Sequence, residues 1–543
     1  MSDSNEKKFL KGAAILAGAG VMIKLLGAVF RIPLTNWIGD GMTYYSVAYA
    51  IYGTLVVIGT AGVPVAISRL VSESIVQRRY RNAHKIFHVA TLLLLGVGTV
   101  CFLVCFFGAD IIARAVGSPK SALAVRAMAP ALFFVPLFSS FRGFFNGRQN
   151  MNPTAISEIT EQLVRCGVGL SLAYVFAFHS GDMVKAAAGA SFGASAGAIA
   201  GLAVIALIFL LNHKVFRQKI EYGDPMVENG KYLAKKITMI AVPIIIGCEI
   251  MPIMTLIDTS IVMNVLQQTG WSRATTEHLY SLYGGYCNPI IAFPQIFTQA
   301  VAVSLVPAIS RNFAVNNATE VNETIKLGYR TTMIMGFPCA FGLFFLAEPI
   351  LKLLYFEQPE SCREAAPIMM LLAIGVIFLA HMQTSTSVLQ AIGKQMIPVR
   401  NLAIGCVFKV FVTYFTVGIH VINVKGAAIG TLVAYFVAMT LNDISVHEYT
   451  GVRHNISLTY LRPLIAALLM AAWALGVYKG MMIILAGHSG NMANALSAAV
   501  AILTAMVIYV ILIFAVRAIT PEELERMPGG RRFARLANKF VRR

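Results

Sequence analysis

The chain has 543 residues, of which 57% are hydrophobic and only 13% charged, with a formal net charge of +19. Soluble domains carry roughly 25% charged residues, so this composition excludes an ordinary soluble enzyme and points to a polytopic membrane protein. In a soluble chain the positive charge would suggest nucleic acid; in a membrane protein it reports topology and attraction to anionic lipid heads, and no nucleic-acid partner is expected.

Apolar runs bounded by charged or turn-forming clusters give fourteen candidate spans, near 9–36, 43–76, 86–115, 121–147, 153–179, 184–212, 232–266, 275–311, 325–355, 365–392, 397–422, 425–447, 460–486 and 491–517. Each has the length that a membrane helix needs. The first follows Lys7, Lys8 and Lys11 as a signal peptide would, but its apolar run is too long and lacks a small-residue cleavage site, so it reads as a retained helix. It carries Lys24 and Arg31, with Pro33 just beyond. Their spacing is two helical turns, so the cations project from nearly one face, about 10 Å apart along the axis. Lipid cannot receive that face; it calls for a water-filled cavity, a counter-charge or an anionic ligand.

Span 2 carries a stripe of Tyr45, Tyr49 and Tyr52, suited to a sugar or to an interfacial belt. In span 5, Glu158, Glu161 and Arg165 have helical spacing, with Glu161 and Arg165 in the favourable i, i+4 order for self-pairing. The polar connection from Asn212 to Lys236 separates six spans from eight. Span 7 holds Glu249 and Asp258 around Pro252, on opposite faces of a straight helix, so both reach one cavity only if Pro252 bends it. Glu249 is the better candidate for a cation-coupling or proton site; the alternative is a pair with Lys24 or Arg31, and a pair opened by a substrate phosphate would unite the two.

Span 8 has a polar, aromatic face of Tyr283, Tyr286, Asn288, Gln295 and Gln299. In span 10, His381 precedes QTSTS, which small-residue helix packing explains as well as a site does. Lys409 in span 11 is either a partner for the span 5 acids or a lone cavity charge. Arg69, Arg311, Arg148 and Lys394 end their spans on the cytoplasmic side, as anchors or, for the repeat-related Arg69 and Arg311, as gate contacts. The eight cysteines form no CxxC and no metal-ligand spacing.

With a cytoplasmic N-terminus, most of the 44 Lys and Arg fall on the cytoplasmic side, and an even number of spans returns the C-terminus there. An internal repeat organises the spans. VPVAISR at 63–69 returns as VPAISR at 306–311, ADIIARAV at 109–116 as AEPILKLL at 347–354, and GRQNMNP at 147–153 as GKQMIP at 393–398. The offset is about 240 residues each time and the order is kept, so the expected fold is all-α, with two parallel pseudo-symmetric six-helix bundles, two added helices and a central cavity between lobes. The boundaries read 1–213 for the N-lobe, 214–231 for a cytoplasmic linker, 232–451 for the C-lobe, 452–519 for spans 13 and 14, and 520–543 for a basic cytoplasmic tail lying on the membrane.

The motifs VPVAISR, GRQNMNP, LLGAVFRIPL (25–34) and FPQIFTQAVAVSLVPAISR (293–311) resemble the polysaccharide transporter family of the multidrug/oligosaccharidyl-lipid/polysaccharide flippase superfamily, in its stage V sporulation protein B-like branch, with lipid II flippases as relatives. The resemblance covers nearly the whole chain. It implies alternating access of two lobes around a cavity lined by helices 1, 2, 7 and 8, and outward movement of an undecaprenyl-pyrophosphate-linked saccharide in the bacterial cytoplasmic membrane. The implied partners are that lipid-linked oligosaccharide, anionic membrane lipids and cell-wall synthesis proteins. Proteobacterial lipid II flippases carry further arginines in helices 2 and 8, where this chain has Val57 and Pro289, so anion binding rests more heavily on Lys24 and Arg31.

No Walker A sequence, G-x-S-x-G or hydrolytic residue set is present, so no cofactor is expected and energy would come from Na+ or H+ coupling or the membrane potential. A cation-coupled multidrug exporter of the same superfamily is the rival reading; it would want buried acids in the first bundle, where span 1 offers cations. A membrane glycosyltransferase or polymerase would need a long external loop with acidic or histidine residues, which the chain lacks.

Overall fold

The computed structural model describes residues 2–212, 224, 226–453, 455–487 and 489–518; it is helical, without a strand among the described residues. The basic tail at 520–543 and most of the linker lie outside the described residues. Packing divides the chain into two compact units, Met1–Ser281 and Leu282–Arg543.

The first unit contains α1 (Ser2–Ile38), α2 (Met42–Thr60), α3 (Gly62–Val76), α4 (Tyr80–Ala115), α5 (Ala122–Gly147), α6 (Asn152–His179), α7 (Met183–Leu211), α8 (Gly230–Gln268) and α9 (Arg273–Tyr280). A π-helical turn, Ser281–Cys287, spans the division, and the second unit continues with α10 (Asn288–Ala314), α11 (Ala318–Phe345), α12 (Ala347–Leu354), α13 (Pro359–Ala391), α14 (Met396–Val417), α15 (Lys425–Thr450), α16 (Arg462–Ile484) and α17 (Gly490–Ala515).

Among the described residues, twelve helical stretches are long and apolar enough to cross a membrane, and the bent pair α11 and α12 makes another. One stretch, Gly18–Val76, has 59 residues. At 1.5 Å per residue it is roughly 90 Å long, far beyond a core of about 30 Å. It holds two crossings, joined by the 3-10 turn Gly39–Gly41, which brings the total to the fourteen expected.

Prolines explain where spans break. A proline cannot bond the carbonyl four residues back. Pro64 denies Thr60, the last residue of α2; Pro349 denies Phe345, the last of α11, and there the chain turns by 81°. The repeat counterpart of Pro349 is Ile111, and α4 runs through it unbroken. Proline alone is not sufficient, because α1 continues through Pro33, and α8 through Pro243 and Pro252.

The seventh span packs with the first six. Just before its N-terminal end Asp224 pairs with Arg79 at 3.3 Å, and the Glu228 amide donates to Asn82 at 3.0 Å. Midway, Gly62 brings α3 so close that a Cβ there would lie 2.3 Å from the Ala241 carbonyl oxygen. Near its C-terminal end Asn264 donates to the Ala115 carbonyl at 3.1 Å, and Gln267 to that of Gly117 at 2.8 Å. Thus the first compact unit extends to Ser281, whereas the sequence repeat divides the chain at 214–231. Its core joins Ile67, Leu70, Phe87, Phe138, Phe144 and, from α8, Ile237.

Candidate functional site

The polar groups of the first unit converge from α1, α2, α5 and α6. α1 packs along α6, and α2 along α5. Small residues of α7 fix α6 from behind: a Cβ on Gly193 would lie 2.5 Å from the Arg165 carbonyl, and one on Gly197 2.5 Å from that of Glu161. Such backbone-to-backbone approach is how helices associate where lipid offers no hydrophobic drive.

The guanidinium carbon of Arg31 stands 5.0 Å from the Tyr45 ring centre and 5.6 Å from that of Tyr49. Arg165 stands 5.4 Å from Tyr49. Tyr45 and Tyr49 are stacked, their centroids 5.9 Å apart, and Phe30 packs on Tyr45. Each cation–ring contact is worth about 0.5–2 kcal/mol, and a rigid tyrosine wall also fixes where the flexible arginine points. The tyrosine stripe therefore orients Arg31 and Arg165.

The acids of α6 are committed. Glu158 forms an ion pair with Arg142 of α5, whose guanidinium also lies 5.1 Å from the Phe138 ring. Glu161 sits in the field of both Arg142 and Arg165. Two carboxylates thus balance two arginines, in a wider network than the expected self-pairing of Glu161 and Arg165. Arg31 has no carboxylate partner among the described residues; its Nη1 is buried without an acceptor. Lys24 is exposed. A planar guanidinium backed by aromatic faces, with a lysine two turns away, can receive phosphate oxygens.

The two acids of α8 separate. Asp258, 5% exposed, lies near Tyr280, which also feels Arg31. Tyr280 in turn shares a 2.8 Å hydrogen bond with Thr259. Glu249 is 8% exposed, and neither carboxylate oxygen has a hydrogen-bond partner. No charged group acts on it among the described residues, so Lys24 and Arg31 do not pair with it here. Its neighbours are the thiols of Cys101, on α4, and Cys248.

Other predicted residues lie elsewhere. Arg69 pairs with Glu73 of its own helix at 2.9 Å, and Arg311 is exposed near the end of α10. Asn288 and Gln295, both half-buried, belong to α10 in the second unit, and the buried Tyr286 to the π-helical turn before it; Tyr283 bonds Thr431 at 3.3 Å. Lys409 is buried where α14 meets Gly430 of α15.

Sequence reasoning missed Arg142, treating the end of span 4 as a cytoplasmic anchor at Arg148; the signal was a charge five residues before the helix end at Gly147. It also passed over Glu277, 5% exposed, which accepts from Tyr44 at 2.8 Å and faces Lys120 at 3.5 Å. Nothing in the spacing of 44, 120 and 277 reveals that cluster.

The family model described as polysaccharide biosynthesis protein matches residues 9–313, and the MatE model matches residues 284–415. Among curated proteins of Bacillus subtilis, the chain is 25% identical to an uncharacterized membrane protein, YabM, over 98% of this chain and 96% of that one. It is 24% identical to the lipid II flippase MurJ over 87% of this chain and 90% of that one. It is 25% identical to stage V sporulation protein B over 96% and 98%. Among solved structures, its fold is similar to the inward closed lipid II flippase MurJ, with TM-score 0.66, 14% identity, and 92% of this chain and 98% of that one covered. It is also similar to an inward-facing multidrug resistance MATE family transporter, with TM-score 0.63, 13% identity, and coverage of 80% and 98%.

Proposed function

This chain belongs to the polysaccharide biosynthesis protein family, and from that membership we propose that it is a flippase carrying an undecaprenyl-pyrophosphate-linked saccharide, lipid II or a similar cell-wall precursor, from the cytoplasmic to the outer leaflet by alternating access. The observation that carries this reading is Arg31, set against Tyr45 and Tyr49 with Nη1 buried and unbonded while the neighbouring acids are engaged by Arg142 and Arg165. A lipid pyrophosphate is an acceptor-rich anion that answers this need, with Lys24 as a second charge. The protein sits in the bacterial cytoplasmic membrane with both termini cytoplasmic, and its partners are the lipid-linked oligosaccharide and anionic lipids.

Glu249 supplies the coupling group. A carboxylate with no partner in an apolar seam is costly unless it binds a proton or a cation, so a change of its surroundings during transport changes its occupancy. The rival reading, a cation-coupled multidrug exporter, draws on the likeness to the MATE fold. The charge balance around Arg31 disfavours a cationic cargo at that place.

The test is a depletion strain that accumulates undecaprenyl-linked precursors and is complemented by the wild-type chain. Lys24→Ala and Arg31→Ala should insert in the membrane yet fail to clear the precursors. Full complementation by both variants would remove Arg31 and Lys24 from the mechanism, and unchanged precursor pools on depletion, with altered efflux of cationic dyes, would favour the exporter.

A further inference from the structure

Tyr49 carries a cation from each of two helices. The guanidinium carbon of Arg31, on α1, lies 5.6 Å from its ring centre, and that of Arg165, on α6, lies 5.4 Å from it. The ring is 39% exposed, whereas Tyr45, stacked on it, is 2% exposed, so the arginines share the open end of the tyrosine stack. Packing between the helices holds this arrangement. Cys166, next to Arg165, donates to the Leu26 carbonyl of α1 at 3.4 Å, and a Cβ on Gly169 would stand 2.9 Å from the Phe30 ring. Both contacts fall within about one turn of Arg165, where they oppose sliding of α6 along α1 and keep the two guanidiniums in register.

The donors of both side chains are unspent. A guanidinium is all donor, yet among the described residues neither Arg31 nor Arg165 donates a hydrogen bond or closes an ion pair. Glu161 acts on Arg165 through its field, as do Tyr45, Tyr49 and Tyr52, without taking an N–H from it. Laid end to end, the two ring distances put the guanidinium carbons at most about 11 Å apart. Two linked phosphates span that gap, with about 4 Å from each carbon to its phosphorus in a two-pronged contact and about 3 Å between the phosphorus atoms. A single phosphate reaches only about 8 Å between two such carbons.

We propose that Arg165 is a second phosphate contact beside Arg31, and that the pair selects lipids joined to their saccharide by a diphosphate over those joined by a single phosphate. Arg31 takes one phosphate and Arg165 the other, with the Tyr49 ring as the fixed spacer between them. The spacing in the sequence makes Arg165 the partner of Glu161 on its own helix, a role that neutralises charge and leaves its N–H groups free for an anion. The inference rests on the flippase reading and adds to it a specificity-determining residue on a third helix.

The test is equilibrium binding to the full chain in detergent, read by native mass spectrometry. The probes are a polyprenyl diphosphate sugar and the monophosphate sugar with the same chain and the same sugar. Wild type should prefer the diphosphate, and Arg165→Gln should lower that preference about 10- to 100-fold, the worth of one charge-assisted hydrogen bond, while affinity for the monophosphate stays as it was. A counter-charge for Glu161 and nothing more would leave the preference unchanged in Arg165→Gln, and that result, or an equal loss for both lipids, overturns the proposal. If Arg165→Gln does not fold, the double variant Glu161→Gln with Arg165→Gln removes both charges of the pair together and is read by the same outcomes. Wild type binding both lipids equally, and losing both in Arg31→Ala, would overturn the two-arginine site and leave the flippase reading standing; wild type binding neither lipid would overturn both.

Discussion

Arg31 and Tyr45 are held face to face, the guanidinium carbon 5.0 Å from the ring centre, while Nη1 is buried with nothing to donate to. A lysine at this position would keep the charge and lose both the planar stacking and the two-pronged donation to phosphate. Arg31→Lys should therefore retain membrane insertion and lower transport about 10- to 100-fold, the worth of one charge-assisted hydrogen bond, and Arg31→Ala should abolish it. Precursor accumulation in the complemented depletion strain measures this; equal transport by wild type and Arg31→Lys would show that charge alone is used.

The ion pair of Glu158 with Arg142 predicts a stability effect that transport assays would miss. Both side chains are mostly buried, 15% and 28% exposed. Glu158→Gln leaves Arg142 short of a counter-charge and should cost about 2–3 kcal/mol, seen as a lower melting temperature in detergent. Adding Arg142→Gln should recover much of that loss, because the cost lies in the unpaired charge. Additive losses in the double variant would mean that the two residues act independently.

Glu249→Gln should go the other way. The carboxylate has no partner to lose, so a neutral amide of the same size should fold at least as stably as wild type. Transport should lose its dependence on pH or sodium. A Glu249→Gln protein whose transport responds to both as the wild type does would leave the residue without a coupling role.

Acid should act at the cap of α7. Asp182 accepts from the Val184 and Lys185 amides at 3.0 and 3.1 Å, and these bonds, that of Lys185 foremost, hold its carboxyl below the usual carboxylate range. A depressed folded value means that the stabilisation is complete above the unfolded value of about 3.9 and fades as pH falls through the folded one. Asp182→Ala should cost about 1 kcal/mol near neutral pH, as loss of a helix cap does. That difference should shrink below about pH 4, and a gap unchanged by acid would assign the effect to packing.

Spans were legible because lipid demands length and apolarity, which composition shows directly; even the two-crossing stretch Gly18–Val76 was divided correctly by the polar turn around Asp40. Breaks were less so. Pro64 and Pro349 end helices, whereas Pro33, Pro243 and Pro252 do not, because neighbouring packing decides whether the freed carbonyl is tolerated. At the site, Lys24 and Arg31 announce themselves as charges in an apolar run, and the tyrosine stripe by its spacing. The partner of Glu158 was hidden, since Arg142 is on another helix and no local pattern links them. That Glu249 lacks a hydrogen-bond partner was hidden for the same reason: what surrounds a side chain is a property of packing.

Packing also sets the sharpest structural prediction. Gly62 lies just after the break at Ala61, where α3 and α8 touch backbone to backbone, and a methyl group there would meet the Ala241 carbonyl oxygen at 2.3 Å and Ile245 Cγ1 at 2.8 Å. A carbonyl cannot rotate away as a side-chain tip can, so α8 must shift. Gly62→Ala should cost about 1–3 kcal/mol, the usual range for overpacking. Gly53, on the same span, has nothing within 4 Å of a Cβ, and Gly53→Ala should be neutral or slightly stabilising through helix propensity. Melting temperatures of the two variants, side by side in one detergent, separate the effects. Equal values would mean that α3 and α8 do not approach this closely in the folded protein, and with that the fastening of the seventh span to the first unit would lose its central contact.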